Sequence, residues 1–432
     1  MIKNRKSRRQ FFSLGFSALS LTLLSKIFSL KRLNAKTKPK VVIIGMGVGG
    51  GTCLNYLYKL NELIEIIVID KRRLIRTGAF SNLVIGNILD ETEITFSMNH
   101  NKYKNVKFIY EGVKHVDYER KFIEISNDLK VSFDYLIMSP GINYKENVIE
   151  GYNPFKQKFL PHCWDGESNI NKFKRKISEL QRNPTIIISA PDYPYRCPPA
   201  PYERASLLAN YFKKKGQSPK VIILDSKDSF TKKDNFLHEW KLNYKDSIEW
   251  IPRGSGGQVV FYDHHNSMVR NNEGESFKGD LIHIIPDQMA AKVISDSNLI
   301  DNGKDWCEVN PLSFEIVGKK DIYALGDSID AGDMPKSAFS ANSQAKVLSI
   351  NLINKILERD YIEPVFLNTC YSFSREDRAF SISAWYRVNL LKDRIVSLGS
   401  KESDVLSTKD FRKTEADQAF GWYEKLMKDL YN

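Results

Sequence analysis

KVVIIGMGVGGGTCLNYLYKLNELIEIIVID, residues 40–70, strings together an apolar strand, a glycine turn, a helix and a second apolar strand that ends in an acid. Gly45, Gly47 and Gly50 fit the spacing G-x-G-x-x-G, and Asp70 lies twenty residues beyond the last glycine. Each part has a physical task. Gly45 permits a tight turn, Gly47 lets backbone approach a pyrophosphate, Gly50 lets the helix pack closely on the strand, and Asp70 accepts hydrogen bonds from an adenosine ribose. Glycines at this spacing are a weak signal alone. Strand, turn, helix, strand and acid in the right order make residues 40–70 a βαβ unit that binds a dinucleotide.

A second such layout follows at residues 185–215, TIIISAPDYPYRCPPAPYERASLLANYFKKK, and here the glycines are missing. Pro191, Pro194, Pro198, Pro199 and Pro201 surround Cys197 instead. Proline removes the N–H donors that cradle phosphate and fixes φ near −65°. The loop therefore serves a nicotinamide dinucleotide poorly and presents a thiol rigidly. Between the two units, short β segments lead to DYLIMSPG, closing in Ser139-Pro140-Gly141, and further on DIYALGDSIDAG runs from a strand into Gly326-Asp327. In flavoproteins with two Rossmann-like domains these are the other two cofactor contacts, so the three segments together indicate FAD. The expected fold is α/β, with two Rossmann-like dinucleotide-binding domains.

The 432 residues, 42% apolar, suffice for a large core and two or three domains. The N-terminus carries Lys3, Arg5, Lys6 and Ser7-Arg8-Arg9-Gln10-Phe11-Phe12, then an apolar run to Ser25 and a small-residue site ending at Ala35. This is the pattern of a twin-arginine export signal. The uncharged run from Gln10 to Ser25 falls short of the ~20 residues of a bilayer span, which weighs against a retained anchor. Residues 1–35 hold eight basic residues and no acid; subtracting them from the net charge of +12 leaves +4. A nucleic-acid-binding role thereby loses its electrostatic support.

Five cysteines (Cys53, Cys163, Cys197, Cys307, Cys370) are too few for a disulfide-stapled scaffold, and no pair has C-x-x-C spacing. Cys53, Cys163 and Cys307 read as small buried hydrophobes. No metal site is expected: His264-His265 stand alone, and Arg253-Gly254-Ser255-Gly256-Gly257-Gln258 reads as a turn. Near the C-terminus, Phe420, Tyr423, Met427 and Tyr431 recur at helical spacing from Ala416 onward, a stripe for docking onto the core.

With the glycine loop, YPYRCPPAPYERAS, GDSIDAGDMPKSAFSANSQAK and NTCYS in hand, the sequence resembles the flavoprotein subunit of flavocytochrome c sulfide dehydrogenase. More distantly it is similar to sulfide:quinone oxidoreductases. The resemblance implies a redox-active disulfide against the flavin, its cysteines here Cys197 and Cys370, and a c-type cytochrome partner that takes electrons from FAD. It implies a periplasmic sulfide dehydrogenase whose substrate is hydrosulfide, with a fold of the flavoprotein disulfide reductase type and a C-terminal interface region. It also implies flavin contacts at Gly45, Gly47, Gly50, Asp70, Asn82, Ser139, Gly141, Gly326, Asp327 and Ser337. Members of the family commonly hold FAD covalently through a cysteine in T-C-Y-x-S-N, whereas this chain reads Thr77-Gly78-Ala79-Phe80-Ser81-Asn82. Gly78 has no thiol, so the expectation is tightly but noncovalently bound FAD.

The expected domains are the signal at residues 1–35, an FAD domain at 36–150 and 311–360, a second Rossmann-like domain at 151–310 and a cytochrome-facing region at 361–432. Glu203, six residues after Cys197, either shuttles a proton to the departing thiolate or complements a helix dipole. Lys336, in Met334-Pro335-Lys336-Ser337, is expected to place positive charge near the reduced flavin; a surface lysine is the other reading. Two rival functions stand beside the first. A quinone reductase would need an apolar C-terminal helix pair, where this tail is rich in Lys, Asp and Glu. An auxiliary flavoprotein would maintain the thiols of a sulfur-oxidising complex.

Overall fold

Val41, Val42, Ile43, Leu136, Ile137 and Met138 are all fully buried, the condition of strands covered on both faces. They form the centre of a five-stranded parallel sheet in a computed structural model that describes residues 38–156, 160–166 and 169–432. The export signal expected over residues 1–35 lies outside the described residues. Strand order in this sheet is Ile322–Ala324, Tyr135–Met138, Lys40–Ile44, Glu65–Ile69, Lys107–Ile109. Ile43 pairs with Val68 on one side and Ile137 on the other. The chain turns one way from the central strand through helix Val48–Leu57 to Glu65–Ile69, and is joined on the opposite side by segments from later in the sequence. Strand order thus reverses at the carboxyl end of Lys40–Ile44, where open α/β sheets form a ligand crevice.

The second parallel sheet has the order Ile248–Ile251, Lys220–Asp225, Thr185–Ala190, Leu281–Ile284. Helix Ala200–Lys214 connects its two inner strands, and the prolines fall ahead of it or in its first turn, where a missing N–H costs nothing. Three antiparallel strands, Val365–Arg375, Arg378–Val388 and Ile395–Glu402, then form a meander that leads into the C-terminal helix Lys409–Tyr431.

That helix carries the expected stripe: Tyr423, Met427 and Tyr431 are buried. It also begins seven residues before Ala416. Thr408 caps it by accepting a hydrogen bond from the Phe411 N–H, and its polar first turns are held by buried Arg412, which pairs with Glu415 and donates to Asn235. The region from residue 361 is also more than an outward face, since Thr369, Cys370, Tyr371, Trp422 and Tyr431 line the central cavity described next.

Candidate active site

Gly45 shows why the first loop needs glycine: its φ is +92°, and a Cβ there would lie 2.3 Å from the Ser139 carbonyl oxygen. Gly50 is as constrained, because a Cβ would meet the Gly45 carbonyl oxygen at 1.8 Å. Gly47 faces open space and lines a cavity of about 1510 Å³, its open mouth included. The glycine turn is locked from two sides. Met46 donates its N–H to Asp70 at 2.7 Å, and its carbonyl accepts from the Tyr431 hydroxyl at 2.9 Å. Arg72 grips Asp70 through its backbone N–H, Nε and Nη2. Burial alone would raise the Asp70 carboxyl; Arg72 and the Met46 N–H outweigh it and hold the group below its ordinary value. Asp70 itself stands behind the cavity wall, with Arg72 in the wall.

Ser139, Gly141, Gly326 and Asp327 lie on the same wall, as do Asn82 and Ser337. Ser337 begins helix Ala338–Ile356 and accepts from the Ser340 N–H at 3.0 Å, a cap worth about 1 kcal/mol. Asp327 is tied by one carboxylate oxygen to Arg196, while its other oxygen is buried with no partner. An unpaired buried acceptor costs about 1–3 kcal/mol unless something donates to it. The orphaned Asp327 oxygen, the bare backbone at Gly47 and the left-handed turns at Gly141 and Gly326 fit the hydroxyl and phosphate groups of FAD. Gly78 also lines the cavity, with nothing within 4 Å of where a Cβ would sit.

Cys197 and Cys370 both line this same cavity as half-buried free thiols. Cys197 is held at φ +57°, a conformation that L-residues adopt at a cost of about 1–2 kcal/mol. Its neighbours impose it. The Cys197 N–H donates to the Lys336 carbonyl at 2.8 Å and its own carbonyl accepts from the Ala200 N–H at 2.9 Å. Next to it, Arg196 donates its N–H to Gln288 and accepts from the Trp164 indole. Burial pushes the Cys197 thiol up strongly, and the charges of Cys370 and Glu203 push the same way.

Glu203 lies in the first turn of helix Ala200–Lys214 and on the cavity wall. One oxygen accepts from Asn82 at 2.7 Å and the other from the Phe373 N–H at 2.9 Å, so the carboxyl bridges the two cysteine-bearing segments. Burial raises its pKa above the ordinary value despite those bonds. Lys336 is placed differently from the expectation. Its side chain is absent from the cavity wall: Nζ donates to the Ile329 carbonyl at 2.6 Å and lies 3.5 Å from the Trp306 ring centroid. Its contribution to the cysteine loop is its carbonyl.

Three groups escaped the sequence reading. Arg204, 1% exposed, donates to Asn82 Oδ1 at 2.9 Å and to the His162 and Cys163 carbonyls, and its burial depresses its pKa to about 10. Cys163 is buried as expected but also lines the cavity, its thiol pushed up to about 12 by burial. Lys232 sits under Cys370 and donates to its carbonyl at 2.9 Å. The position of Arg196 and Arg204 on either side of the cysteine-proline motif was a usable signal. A double lysine in a polar stretch gave none.

In the second sheet the acid at the position that would meet a ribose is already occupied by the chain's own donors. Asp225, which ends its second strand, is fully buried and accepts from the Tyr202 hydroxyl at 2.5 Å, the Trp250 indole at 2.8 Å and Lys227. Tyr202 stacks on Phe230 with centroids 3.6 Å apart. The chain's own side chains occupy the acid that would otherwise take a ribose.

Residues 171–286 match the family model described as sulfide dehydrogenase (flavocytochrome c) flavoprotein chain, central, and residues 362–431 the model described as flavocytochrome c sulphide dehydrogenase, flavin-binding. Among curated proteins, the mitochondrial sulfide:quinone oxidoreductase of Dictyostelium discoideum is 22% identical over 331 residues, 74% of this chain and 71% of the relative. Coenzyme A disulfide reductase of Staphylococcus aureus is 28% identical over 331 residues, 72% and 70% of the two chains. Among solved structures, the sulfide:quinone oxidoreductase of Aquifex aeolicus superposes with a TM-score of 0.69 at 17% identity, over 90% of this chain and 92% of the other. Two segments of the chain thus match models of flavocytochrome c sulfide dehydrogenase flavoproteins, and the protein is an FAD-dependent oxidoreductase.

Proposed function

We propose that this protein is a periplasmic sulfide dehydrogenase that oxidises hydrosulfide through a Cys197–Cys370 disulfide and noncovalently bound FAD, and delivers electrons to a c-type cytochrome subunit. The observation that carries the reading is the convergence of Cys197 and Cys370, 173 residues apart, on a cavity wall shared with Gly47, Ser139, Gly326 and Asp327. Hydrosulfide is a soft nucleophile largely ionised near neutral pH, so it needs an electrophilic sulfur more than a strong base. Attack on one sulfur of the disulfide breaks the S–S bond and leaves a persulfide on one cysteine and a thiolate on the other. FAD, held by the wall of Gly47, Ser139, Gly326 and Asp327, would supply the two-electron acceptor. Loss of two electrons re-forms the S–S bond and frees the added sulfur at the zero-valent level with one proton.

Glu203 is the proton store for this exchange. Its raised pKa keeps it protonated to higher pH than an ordinary carboxyl, and its bonds to Asn82 and Phe373 keep it between the two cysteine-bearing segments. Asn82 is in turn oriented by Arg204. The proline loop and the Lys336 carbonyl fix the Cys197 backbone, limiting the conformational entropy lost at each turnover. Quinone reduction is the second reading, supported by the likeness to sulfide:quinone oxidoreductases; among the described residues no helix is long and apolar enough to cross a membrane.

The test is direct. Purified holoprotein mixed anaerobically with sulfide and oxidised cytochrome c should reduce the haem, and Cys197→Ser should abolish the reaction. Thiol exchange with a partner protein in the absence of sulfide turnover would replace this reading with the auxiliary role. Cell fractionation of the full chain tests export, which rests on the residue pattern from Lys3 to Ala35.

A further inference from the structure

Lys232 is a lysine where local physics favours another residue. It precedes helix Lys233–Tyr244 at the capping position, which prefers Ser, Thr, Asp or Asn, and it is held at φ +63°, where a non-glycine residue is strained. It is also 1% exposed. Burying an ammonium costs several kcal/mol unless the surroundings answer its charge. A residue that defies cap preference, backbone preference and burial at once marks a site where function overrides local fit.

The hydrogen bonds of the ammonium go to neutral acceptors, the Cys370 carbonyl at 2.9 Å and Ser372 Oγ at 2.7 Å, with the Phe380 ring centroid 5.6 Å away. Its charge is coupled, in decreasing order, to Cys370, Glu203, Cys197 and Glu402. Glu402, from strand Ile395–Glu402, accepts the Lys232 backbone N–H at 3.2 Å. The other charges felt by the cysteine pair are Asp327, which acts against thiolate formation at Cys197 as Glu203 does, and Arg204, whose charge couples to Cys197. Among the groups acting most strongly on the Cys197 thiol, Lys232 is the cation.

We propose that Lys232 supplies the positive charge that stabilises the thiolate formed when the Cys197–Cys370 pair opens, as a positioning residue acting through its field and through the Cys370 carbonyl. This rests on the reading that the two cysteines form and break a disulfide. In the opened pair the thiolate adds an anion beside an ammonium whose hydrogen bonds go to neutral acceptors. In a medium of low effective dielectric a charge a few ångströms away shifts a thiol by a unit or more. A thiol of lowered pKa is also the better leaving group, so the charge favours opening of the disulfide by an incoming nucleophile.

The experiment is the pH profile of alkylation of Cys197 and Cys370 in the reduced holoprotein, read by mass spectrometry of the labelled peptides after timed exposure to iodoacetamide. Lys232→Gln keeps a donor for the Cys370 carbonyl and removes the charge. It should raise the midpoint of the more acidic of the two thiols by at least one pH unit, a tenfold loss of labelling rate at neutral pH. Lys232→Arg should restore most of it. A folded, flavin-loaded Lys232→Gln protein with an unmoved midpoint would overturn the proposal. If Lys232→Gln does not fold, Lys232→Met, which fills the same space without charge, is measured in its place, and an unmoved midpoint in that variant would overturn the proposal. Sulfide turnover of the wild type is assayed separately, so failure of the functional reading and failure of the Lys232 proposal give different results.

Discussion

Arg196 donates through Nε to Asp327 at 2.6 Å, so the residue beside Cys197 and the acid of the Gly326-Asp327 turn form one ion pair. The pair joins the second α/β unit to the strand-end turn of the first, and it fixes the cysteine loop relative to the cavity wall. Arg196 Nη1 adds a bond to the Trp164 carbonyl at 3.2 Å. Replacing Arg196 with Met leaves a largely shielded carboxylate with neither oxygen paired, a loss of about 2 kcal/mol for hydrogen bonds to a charged group. Thermal unfolding of Arg196→Met should show that loss, and the variant should shed flavin on gel filtration where the wild type keeps it. Arg196→Lys should recover only part, because lysine cannot span Asp327 and Trp164 in a fixed fork.

Local periodicity carried most of the fold. Strands 40–44, 65–69, 135–138 and 185–190 are continuous apolar runs, the signature of parallel strands buried on both faces, and each is where its sequence places it. The glycine tasks were equally legible, because a turn that needs φ +92° or a backbone contact at 1.8 Å admits little else. What periodicity could not show is which side chains converge from distant segments. Lys336 lies beside the flavin motif in sequence, yet its ammonium turns to Trp306 and only its carbonyl serves Cys197. Lys232 looks like a surface charge in a single sequence, and only tertiary packing makes it a buried partner of the site. The resemblance implies a flavin-side Cys370 within a cytochrome-facing region, and Cys370 and Tyr371 both line the cavity.

Gly78 lines the cavity and has room for a side chain. The wild-type protein, lacking a thiol there, should release all its flavin to the supernatant on acid precipitation. Gly78→Cys should fold with an unchanged melting temperature, since its Cβ meets nothing within 4 Å. It should also acquire acid-stable yellow colour in the pellet, as the thiol then stands where the sequence pattern of covalent relatives has one. Flavin retained in the wild-type pellet would contradict noncovalent binding.

Lys336 provides a pH test. Burial pulls its pKa from 10.5 down to about 8, opposed by Asp327 and Asp330. Between pH 8 and 10.5 the unfolded chain therefore binds a proton that the folded chain has lost, so this residue's contribution to stability rises with pH across that window. Below pH 8 the cost of burying the charge is present in full. Urea unfolding at pH 7.5 and 9.5 should show Lys336→Met gaining on the wild type at the lower pH and losing the gain at the higher one. A pH-independent difference between the two proteins would mean that the buried amine does not titrate in this range.

The second α/β unit should be closed to pyridine nucleotides, because Tyr202, Trp250 and Lys227 already use both oxygens of Asp225. NADH added anaerobically to the holoprotein should leave the flavin spectrum unchanged at concentrations where sulfide bleaches it. Opening the cluster is not expected to create a site. Tyr202→Ala removes a fully buried ring stacked on Phe230 and leaves Asp225 short of one donor, a loss of about 3–5 kcal/mol for the ring alone. It should therefore lower the melting temperature sharply without conferring NADH oxidation. Tyr202→Phe, which keeps the stack and removes only the hydroxyl, should separate the two effects: about 1.5–3 kcal/mol for one hydrogen bond to a carboxylate oxygen that keeps the Trp250 indole, with the flavin still unresponsive to NADH. Flavin bleaching by NADH in any of the three proteins would show that this unit retains a nucleotide route despite its proline loop.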